Sequence, residues 1–243
     1  MIQSDERKQK VATFFDEFNN YLGGQAFGVR ESLVAELLGS VHDKKVLDVG
    51  CGDGSLSRVF VDGTNDLTLV DLSPQMLERA MSAIAPDRRQ RVRVFQNDLF
   101  EAPIEEPGFD IILCIGVLAH VEDVDAAIGR LSRLLLPGGA LLIQFSDQDR
   151  KSHALDTAWA RVRKKVWNKR GYEVTRTSMR TLRSAASNHG LTWEEERRYL
   201  TVPPIARLLI RGSKADFFEH FSLNTSWCSS LGHQMFARLR KPR

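Results

Sequence analysis

The chain has 243 residues, of which 42% are hydrophobic and 27% charged, a composition typical of a soluble globular protein. Its polar start lacks the apolar segment of a secretory signal, and its most apolar run, residues 109–119, is far short of the ~20 residues that span a bilayer. We therefore expect a cytoplasmic protein with no transmembrane segment, folded as a single domain. The scattered cysteines lack the spacing of metal ligands, so we predict small buried thiols and no metal site.

The first forty residues carry two helical patterns. Apolar residues, many of them aromatic, recur at helical spacing from Ser4 to Tyr21, and Gly23-Gly24 ends the pattern. A second pattern, from about Gly28 to Leu38, places valines and leucines on one side. We predict two helices ahead of the first strand, and the simplest interpretation of their aromatic residues is core packing.

The stretch Val46–Ser55 marks a ligand site. A predicted strand ends here and is followed by three glycines at alternate positions, Gly50, Gly52 and Gly54. We expect a helix after these glycines, to about Val61. Such glycines permit positive φ and let a ligand approach the backbone, and the N–H groups that open a helix favour a nucleotide-like cofactor. The dinucleotide fingerprint is not matched, because Ser55 stands where its third glycine belongs. Asp48 would repel a pyrophosphate but suits an ammonium or sulfonium ligand.

An acid ends the second predicted strand. Leu67–Val70 is followed by Asp71, about twenty residues beyond Gly50. In nucleotide-binding α/β folds an acid at this point binds the ribose, because a carboxylate can accept two adjacent hydroxyl groups. Ser73-Pro74 then predicts the cap and first residue of a helix that reaches about Ile84.

Polar residues follow the next strands as well. Three more strands are predicted, at residues 91–95, 109–114 and 140–145. Asp98 follows the first of these and His120 the second. A helix beginning at Glu122-Asp123 is predicted to end at Leu136-Pro137-Gly138-Gly139.

The last third of the chain is basic and less regular. Between Arg150 and Arg183 there are eleven lysines and arginines but two acids, although the whole chain carries only +3. This basic segment is either a solvated helix face or a docking surface for an anionic molecule. Helices are predicted near residues 153–167 and 178–189, and strands at 191–200 and 234–239, with about thirty residues between these strands that include Phe217, Phe218, Phe221 and Trp227.

Together, the motifs resemble the class I S-adenosylmethionine-dependent methyltransferases. Asp48-x-Gly50-x-Gly52-x-Gly54 is similar to their motif I, and Leu118-Ala119-His120-Val121 to the Leu-x-His-Val turn of the ubiquinone- and menaquinone-biosynthesis-like group, with Ala119 replacing the usual acid. Residues 134–139 are similar to the family's Leu-Lys-Pro-Gly-Gly pattern. The resemblance spans residues 44–147 and implies a seven-stranded Rossmann-like sheet, mostly parallel with strand 7 antiparallel, and helices on both faces.

The same resemblance implies S-adenosyl-L-methionine as cofactor and divides the chain into a helical cap (1–43), a cofactor-binding core (44–147) and acceptor-side elements (148–243). Asp98 would accept from the adenine amine and the Leu99 N–H would donate to the ring, with helix capping as the alternative role of Asp98. The implied cofactor contacts are Asp48, Gly50, Cys51, Gly52, Gly54, Asp71, Leu72, Met76, Asn97, Asp98, Leu99, Ile115 and Tyr21.

The chemistry follows from the turn after the fourth strand, which lacks the Asn/Asp-Pro-Pro-Tyr/Phe sequence of enzymes that methylate nucleobase amines or glutamine. We predict methyl transfer to oxygen, nitrogen or carbon of a small, possibly anionic metabolite. His120 is the candidate general base, with a structural role as the alternative, and His153, His220 and His233 are weaker candidates. Three other interpretations stay open: an RNA or protein acceptor bound by the basic segment, a non-catalytic cofactor-binding protein, and a nicotinamide oxidoreductase disfavoured by the glycine spacing. A nucleic-acid partner is less expected than a small-molecule acceptor.

Overall fold

A computed structural model describes residues 5–16, 27–149, 175, 177–199, 213–225 and 232–243. Seven strands form one sheet in the order β3-β2-β1-β4-β5-β7-β6. Strand β7 is antiparallel to both of its neighbours, and the other pairs are parallel. The strands are β1 Lys45–Val49, β2 Asp66–Asp71, β3 Val92–Gln96, β4 Phe109–Ile115, β5 Leu135–Ser146, β6 Thr192–Tyr199 and β7 Gln234–Arg240. The predicted fold class is confirmed.

Helices cover both faces of this sheet. They are α1 Asp5–Asp16, α2 Phe27–Leu38, α3 Pro74–Ser82, α4 Val124–Leu134, α5 Met179–Asn188 and α6 Ser213–Asn224. Because neighbouring side chains of a strand point to opposite faces, Val46 packs with α2 and α3 while Leu47 packs with α4 and α5. Apolar residues on both sides of β1 thus bury it in the middle of the sheet, as expected of parallel strands.

The capping residues found in the sequence act as predicted. Ser73 accepts a hydrogen bond from the Met76 N–H ahead of Pro74, and Asp123 accepts one from the Ala126 N–H. Gly190 follows α5 with a φ of +70°, a conformation that glycine adopts without strain. These caps place the ends of α3 and α4 next to the carboxyl ends of β2 and β4.

Three elements differ from the predictions. The helix expected from Ser55 to Val61 is a series of turns with one short 3₁₀ helix, Arg58–Phe60. The glycine turn occupies residues 50–54 and a side-chain-stabilised turn at Asp62 occupies 62–65, which leaves about two helical turns, too few for a stable α-helix. Strand β5 begins at Leu135, which pairs with Phe109 ahead of a register shift, so the Pro-Gly-Gly residues lie within it.

The third difference lies in the aromatic segment near the C-terminus, where no element was predicted. Residues 213–224 form helix α6, which lies against α2 and β6. Several other predictions lie outside the described residues: the end of the first helix with Tyr21, the helix at 153–167, the stretch 205–210, Trp227 and most of the basic segment. Among the described helices, none combines the length and apolar character needed to cross a bilayer.

Candidate active site

A cavity opens at the carboxyl ends of β1, β2, β3 and β4, where the predicted site residues converge. The space between its walls is about 1010 Å³, a figure that includes open solvent at the mouth. Its lining includes eleven predicted site residues: Gly50, Cys51, Gly52, Asp71, Leu72, Met76, Asn97, Asp98, Leu99, Ile115 and His120. The remaining lining is mostly apolar and comes from the same strand ends and from α1 and α2.

The glycine turn forms the floor of the cavity. Gly50 and Gly52 have φ values of +63° and +54°, and the Gly50 N–H donates to the Val70 carbonyl across 2.7 Å. A Cβ on Gly50 would clash with the Val117 Cγ2 atom, so the wall leaves no room there. A Cβ on Gly52 would meet no described atom within 4 Å, and Gly52 lines the cavity. The space above Gly52 therefore suits a ligand that lies directly on the backbone.

Asp71 connects the glycine turn to the next helix. Its Oδ2 accepts from the Gly52 N–H and its Oδ1 from the Ser73 N–H, each across 2.9 Å. Both carboxylate oxygens therefore accept from backbone N–H groups, which orients the Asp71 side chain at the cavity wall. The ribose contact of Asp71 stays a prediction.

We expect Asp71→Asn to weaken S-adenosylmethionine binding at least about tenfold, because the amide loses the charge and presents an NH₂ group to backbone donors. Calorimetric titration measures this affinity. Asp66→Asn is the matched control, since Asp66 is the exposed residue at the opposite end of β2 and pairs with Arg91. Equal affinity of the Asp71→Asn variant and the wild-type protein would remove the ribose assignment.

Asp98 supports both the loop after β3 and the first helix. Its Oδ1 accepts from the N–H groups of Phe100 and Glu101, as a capping carboxylate does. Its Oδ2 lies 2.9 Å from the Lys8 Nζ of α1, and Lys8 also pairs with Glu101. Residues 99–102 form a turn and not a helix, so Asp98 stabilises a turn and the helix-capping alternative was wrong. The adenine contact stays a prediction.

His120 faces the cavity from a turn beyond β4. The chain leaves β4 through Gly116, with a φ of +77°, and the His120 N–H donates to the Val117 carbonyl across 2.8 Å. Burial, and secondarily the cationic Arg7, lowers the pKa of His120 to about 4, so its imidazole is neutral at physiological pH. A neutral imidazole beside the cofactor site can accept a proton or a hydrogen bond from an acceptor molecule.

The other candidate histidines lie elsewhere. His220 is on α6, and His233 is buried next to β7 with its carbonyl accepting from the Asp147 N–H. Neither lines the cavity, whereas His153 is outside the described residues. His120 is the histidine that the described part of the chain brings to the cofactor site.

A family model described as a methyltransferase domain matches residues 47–141, the part of the chain that forms the glycine turn and the strand ends around the cavity. The chain contains a class I S-adenosylmethionine-dependent methyltransferase domain. The predicted family resemblance and its cofactor, S-adenosylmethionine, are thereby confirmed.

Curated relatives share this methyltransferase domain. The chain is 36% identical over 98 residues to an uncharacterized methyltransferase of Mycobacterium tuberculosis, a match that covers 40% of this chain and 48% of the relative. It is 32% identical over 126 residues to the ubiquinone biosynthesis O-methyltransferase of Alkalilimnicola ehrlichii, covering 51% of each protein. The chain thus spans about half the length of these curated relatives.

Solved structures extend the similarity beyond the domain core. Magnesium protoporphyrin IX methyltransferase from Synechocystis, whose structure contains bound SAH, has a TM-score of 0.65 at 17% identity, covering 97% of this chain and 99% of that one. At this level of identity the similarity shows a common fold.

Asp48 and Gly54 of motif I do not line the cavity of the methyltransferase domain. Asp48 is 4% exposed, and burial raises its pKa to about 7, against a hydrogen bond from Ser57 and with the help of the nearby Asp71 and Asp53 carboxylates. A Cβ on Gly54 would lie 3.0 Å from the Ala80 Cβ, so this glycine permits α3 to approach the turn. Asp48 and Gly54 are thus buried outside the cavity lining, whereas Gly50, Cys51 and Gly52 belong to it.

This burial predicts a pH-dependent effect of Asp48→Asn on stability. The pKa of Asp48 rises from 3.8 unfolded to about 7 folded, so the folded state retains the proton and wild-type stability falls as the pH rises from about 4 to about 7. The Asp48→Asn variant lacks this loss, and its unfolding free energy should improve relative to wild type over that range, by up to roughly 4 kcal/mol. Urea unfolding at pH 5 and pH 8 measures the difference, and a pH-independent difference would contradict the assignment.

Arg30 is a lining residue that no sequence motif indicated. It belongs to α2, and its Nε atom is buried without a hydrogen-bond partner among the described residues. In the sequence, Arg30 precedes Leu33 and Val34 by three and four residues, so it lies one helical turn from them and beside the apolar side of α2. Both of these neighbours are buried in the structure. A guanidinium whose Nε–H is buried and unsatisfied among the described residues suits the carboxylate of a bound ligand.

The two cysteines in the described ranges belong to the core of the methyltransferase domain. Cys51 and Cys114 are buried free cysteines, and burial raises the pKa of both thiols. Within the same ranges, no group of three or more His, Cys, Asp or Glu side chains is arranged to hold a metal ion.

Proposed function

We propose that this protein transfers a methyl group from S-adenosylmethionine to a small or medium-sized metabolite, with a hydroxyl oxygen as the favoured acceptor over nitrogen or carbon. The observation that carries the proposal is the meeting of His120 with the glycine turn and Asp71 in one cavity. An oxygen acceptor must lose its proton, and His120 is a neutral group able to take it.

When bound, the cofactor would supply a sulfonium methyl group already activated for in-line displacement. The work left to the chain is to align the two molecules and keep water out. Asp71 would hold the ribose, the backbone at Gly52 would lie against the cofactor, and Asp98 and Leu99 would contact the adenine. The apolar lining from α1 and β4, such as Val11 and Ile115, would exclude water.

Arg30 completes the cofactor site in this proposal. Its buried Nε, unpaired among the described residues, belongs to a cavity whose other charged lining residues are Asp71 and Asp98. The carboxylate of the cofactor's methionyl part is the anion that every S-adenosyl ligand would bring. We therefore assign Arg30 to that carboxylate.

The acceptor side lies in the part of the chain that gave the fewest motifs. Residues 148–190 and 201–231 are proposed to shape the acceptor pocket, and the basic segment 150–183 favours an acceptor with negative charge. An RNA acceptor is the competing proposal that the same charge supports. Salt dependence separates the two, because RNA binding through phosphates weakens steeply between about 50 and 200 mM salt.

The test is a transfer assay with isotopically labelled S-adenosylmethionine and three separate substrate fractions: small metabolites, total RNA and total protein. We expect label in the metabolite fraction, with the product identified by mass spectrometry, and no label with a variant that cannot bind the cofactor. Label confined to RNA or protein would overturn the small-molecule proposal. Cofactor binding without transfer to any fraction would favour a non-catalytic role.

A further inference from the structure

The turn that carries His120 is held at three successive carbonyl groups. The Thr175 N–H donates to the Ala119 carbonyl across 2.8 Å, and the Thr175 hydroxyl donates to the Val121 carbonyl. Between them, the Arg7 Nε donates to the His120 carbonyl across 3.1 Å. The two holding residues are themselves joined, because the Arg7 Nη2 donates to the Thr175 Oγ1 across 2.8 Å.

Helix α1 reaches this turn from across the cavity mouth. Its Lys8 contacts Asp98 and Glu101 on one side, while the adjacent Arg7 contacts the His120 turn on the other. Val11, one turn further along, is 5% exposed and lines the cavity between them. The helix is therefore fixed over the site by two cations, and each cation has a distinct partner.

We propose that Arg7 and Thr175 are positioning residues that hold His120 in its orientation toward the acceptor, an inference that rests on the proposed function of His120. We call this pair the His120 clasp. Three consecutive carbonyls fixed by two side chains and one backbone N–H leave the peptide planes of the turn little freedom to rotate. A displacement of about 1 Å in a reacting group can cost about a hundredfold in rate, so this restraint matters to transfer.

The clasp also sets the electrostatic surroundings of the imidazole. Within the described ranges, the charged residues around the cavity are Arg7 and Lys8 from α1, Arg30 from α2, Asp71 after β2, and Asp98 and Glu101 after β3. Arg7 is the charged residue whose repulsion, added to burial, favours the neutral imidazole. Its removal should let protons bind to His120 at higher pH.

Two matched pairs of variants test the clasp. Thr175→Val removes the hydroxyl at nearly constant shape and should lower kcat at least about tenfold, while Thr175→Ser should stay within about threefold of wild type. Arg7→Met should lower kcat by a similar factor, and Arg7→Lys should restore little because one ammonium cannot span both partners. Binding of S-adenosylhomocysteine, measured by calorimetry, should change by less than about threefold in the threonine variants.

A second measurement does not depend on transfer. In protein with isotopically labelled histidine, the His120 resonance is assigned by its loss in His120→Gln and titrated by nuclear magnetic resonance. We expect Arg7→Met to raise the pKa of His120, because the repulsion between the two cations is removed while the burial remains. Lys8→Met, a neighbouring cation removed from the same helix, should leave that titration unchanged.

The outcomes separate this inference from the proposed function. If Thr175→Val and Arg7→Met lower thermal stability but leave both kcat and the His120 titration as in wild type, the clasp is a structural contact and our inference is wrong. If His120→Gln is fully active while Arg7→Met still shifts the titration, the base role of His120 is wrong, the positioning role for transfer is wrong with it, and only the electrostatic effect of Arg7 on His120 remains. Because Arg7 and Thr175 contact each other, the double variant should lose less than the product of the single losses.

Discussion

Gly52→Leu should reduce the affinity for S-adenosylmethionine at least about 100-fold, equivalent to about 3 kcal/mol, while the protein stays folded. Gly52 lines the cavity, and a Cβ at this position would have no described protein atom within 4 Å. We expect a leucine side chain to occupy the space that the cofactor needs. The added cost to folding is the strain of a side chain at a φ of +54°, roughly 1–2 kcal/mol. Calorimetric binding and urea unfolding, measured on the same preparation, separate the two effects.

Gly39→Leu is the matched control for this experiment. Gly39 follows α2 with a φ of +65°, has no described atom within 4 Å of where its Cβ would lie, and does not line the cavity. It should show a similar loss of stability and normal cofactor binding. Comparable binding losses in both variants would mean that backbone strain, and not occlusion, disrupts the site.

His120→Gln should lower kcat about 100-fold and change cofactor affinity by less than about threefold. This loss is near the lower end of the range of about 10²–10⁴-fold that general bases contribute, because an imidazole whose pKa is about 4 is neutral but weakly basic. For the same reason the acid limb of the wild-type pH–rate profile should lie well below pH 6.5, since His120 becomes protonated only as the pH falls toward about 4. Steady-state kinetics between about pH 4.5 and 8 measures both.

His42→Gln controls for the loss of a histidine as such, because His42 pairs with Asp62 on the surface, away from the cavity. It should leave kcat and the pH profile unchanged. Wild-type turnover in the His120→Gln variant would return His120 to a structural role and favour an acceptor acidic enough to ionise without help.

Local sequence patterns were sufficient for most of the fold. The apolar run of β1, the glycines after it and Asp71 at the end of β2 lie within about 25 residues, and their order indicates two neighbouring strands of a nucleotide-binding sheet. Caps such as Ser73-Pro74 are equally local, because the side chain and its partner are three residues apart. The helix predicted at Ser55–Val61 failed where two turns competed for a short segment.

Contacts distant in sequence were decided by tertiary structure. Arg7 lies 113 residues from the carbonyl it holds and 168 from Thr175, and no periodicity relates such positions. The sequence does not distinguish Arg30 from other polar residues of helix α2. Its Nε atom is buried beside the cavity because of how α2 packs in the folded chain. Asp48 was predicted to contact the cofactor because of its motif, but packing leaves it 4% exposed and outside the cavity lining.

The sequence by itself determined where the proposed cofactor site lies, because motif I and the acids after β2 and β3 act through backbone turns and strand ends that form locally. The tertiary structure decided how α1, α2 and residue 175 close around that site, since those contacts depend on charges and hydrogen bonds between segments that meet only after the sheet has formed. The donor side of this methyltransferase domain can therefore be predicted from local pattern, and the arrangement of its proposed base is a property of the folded chain.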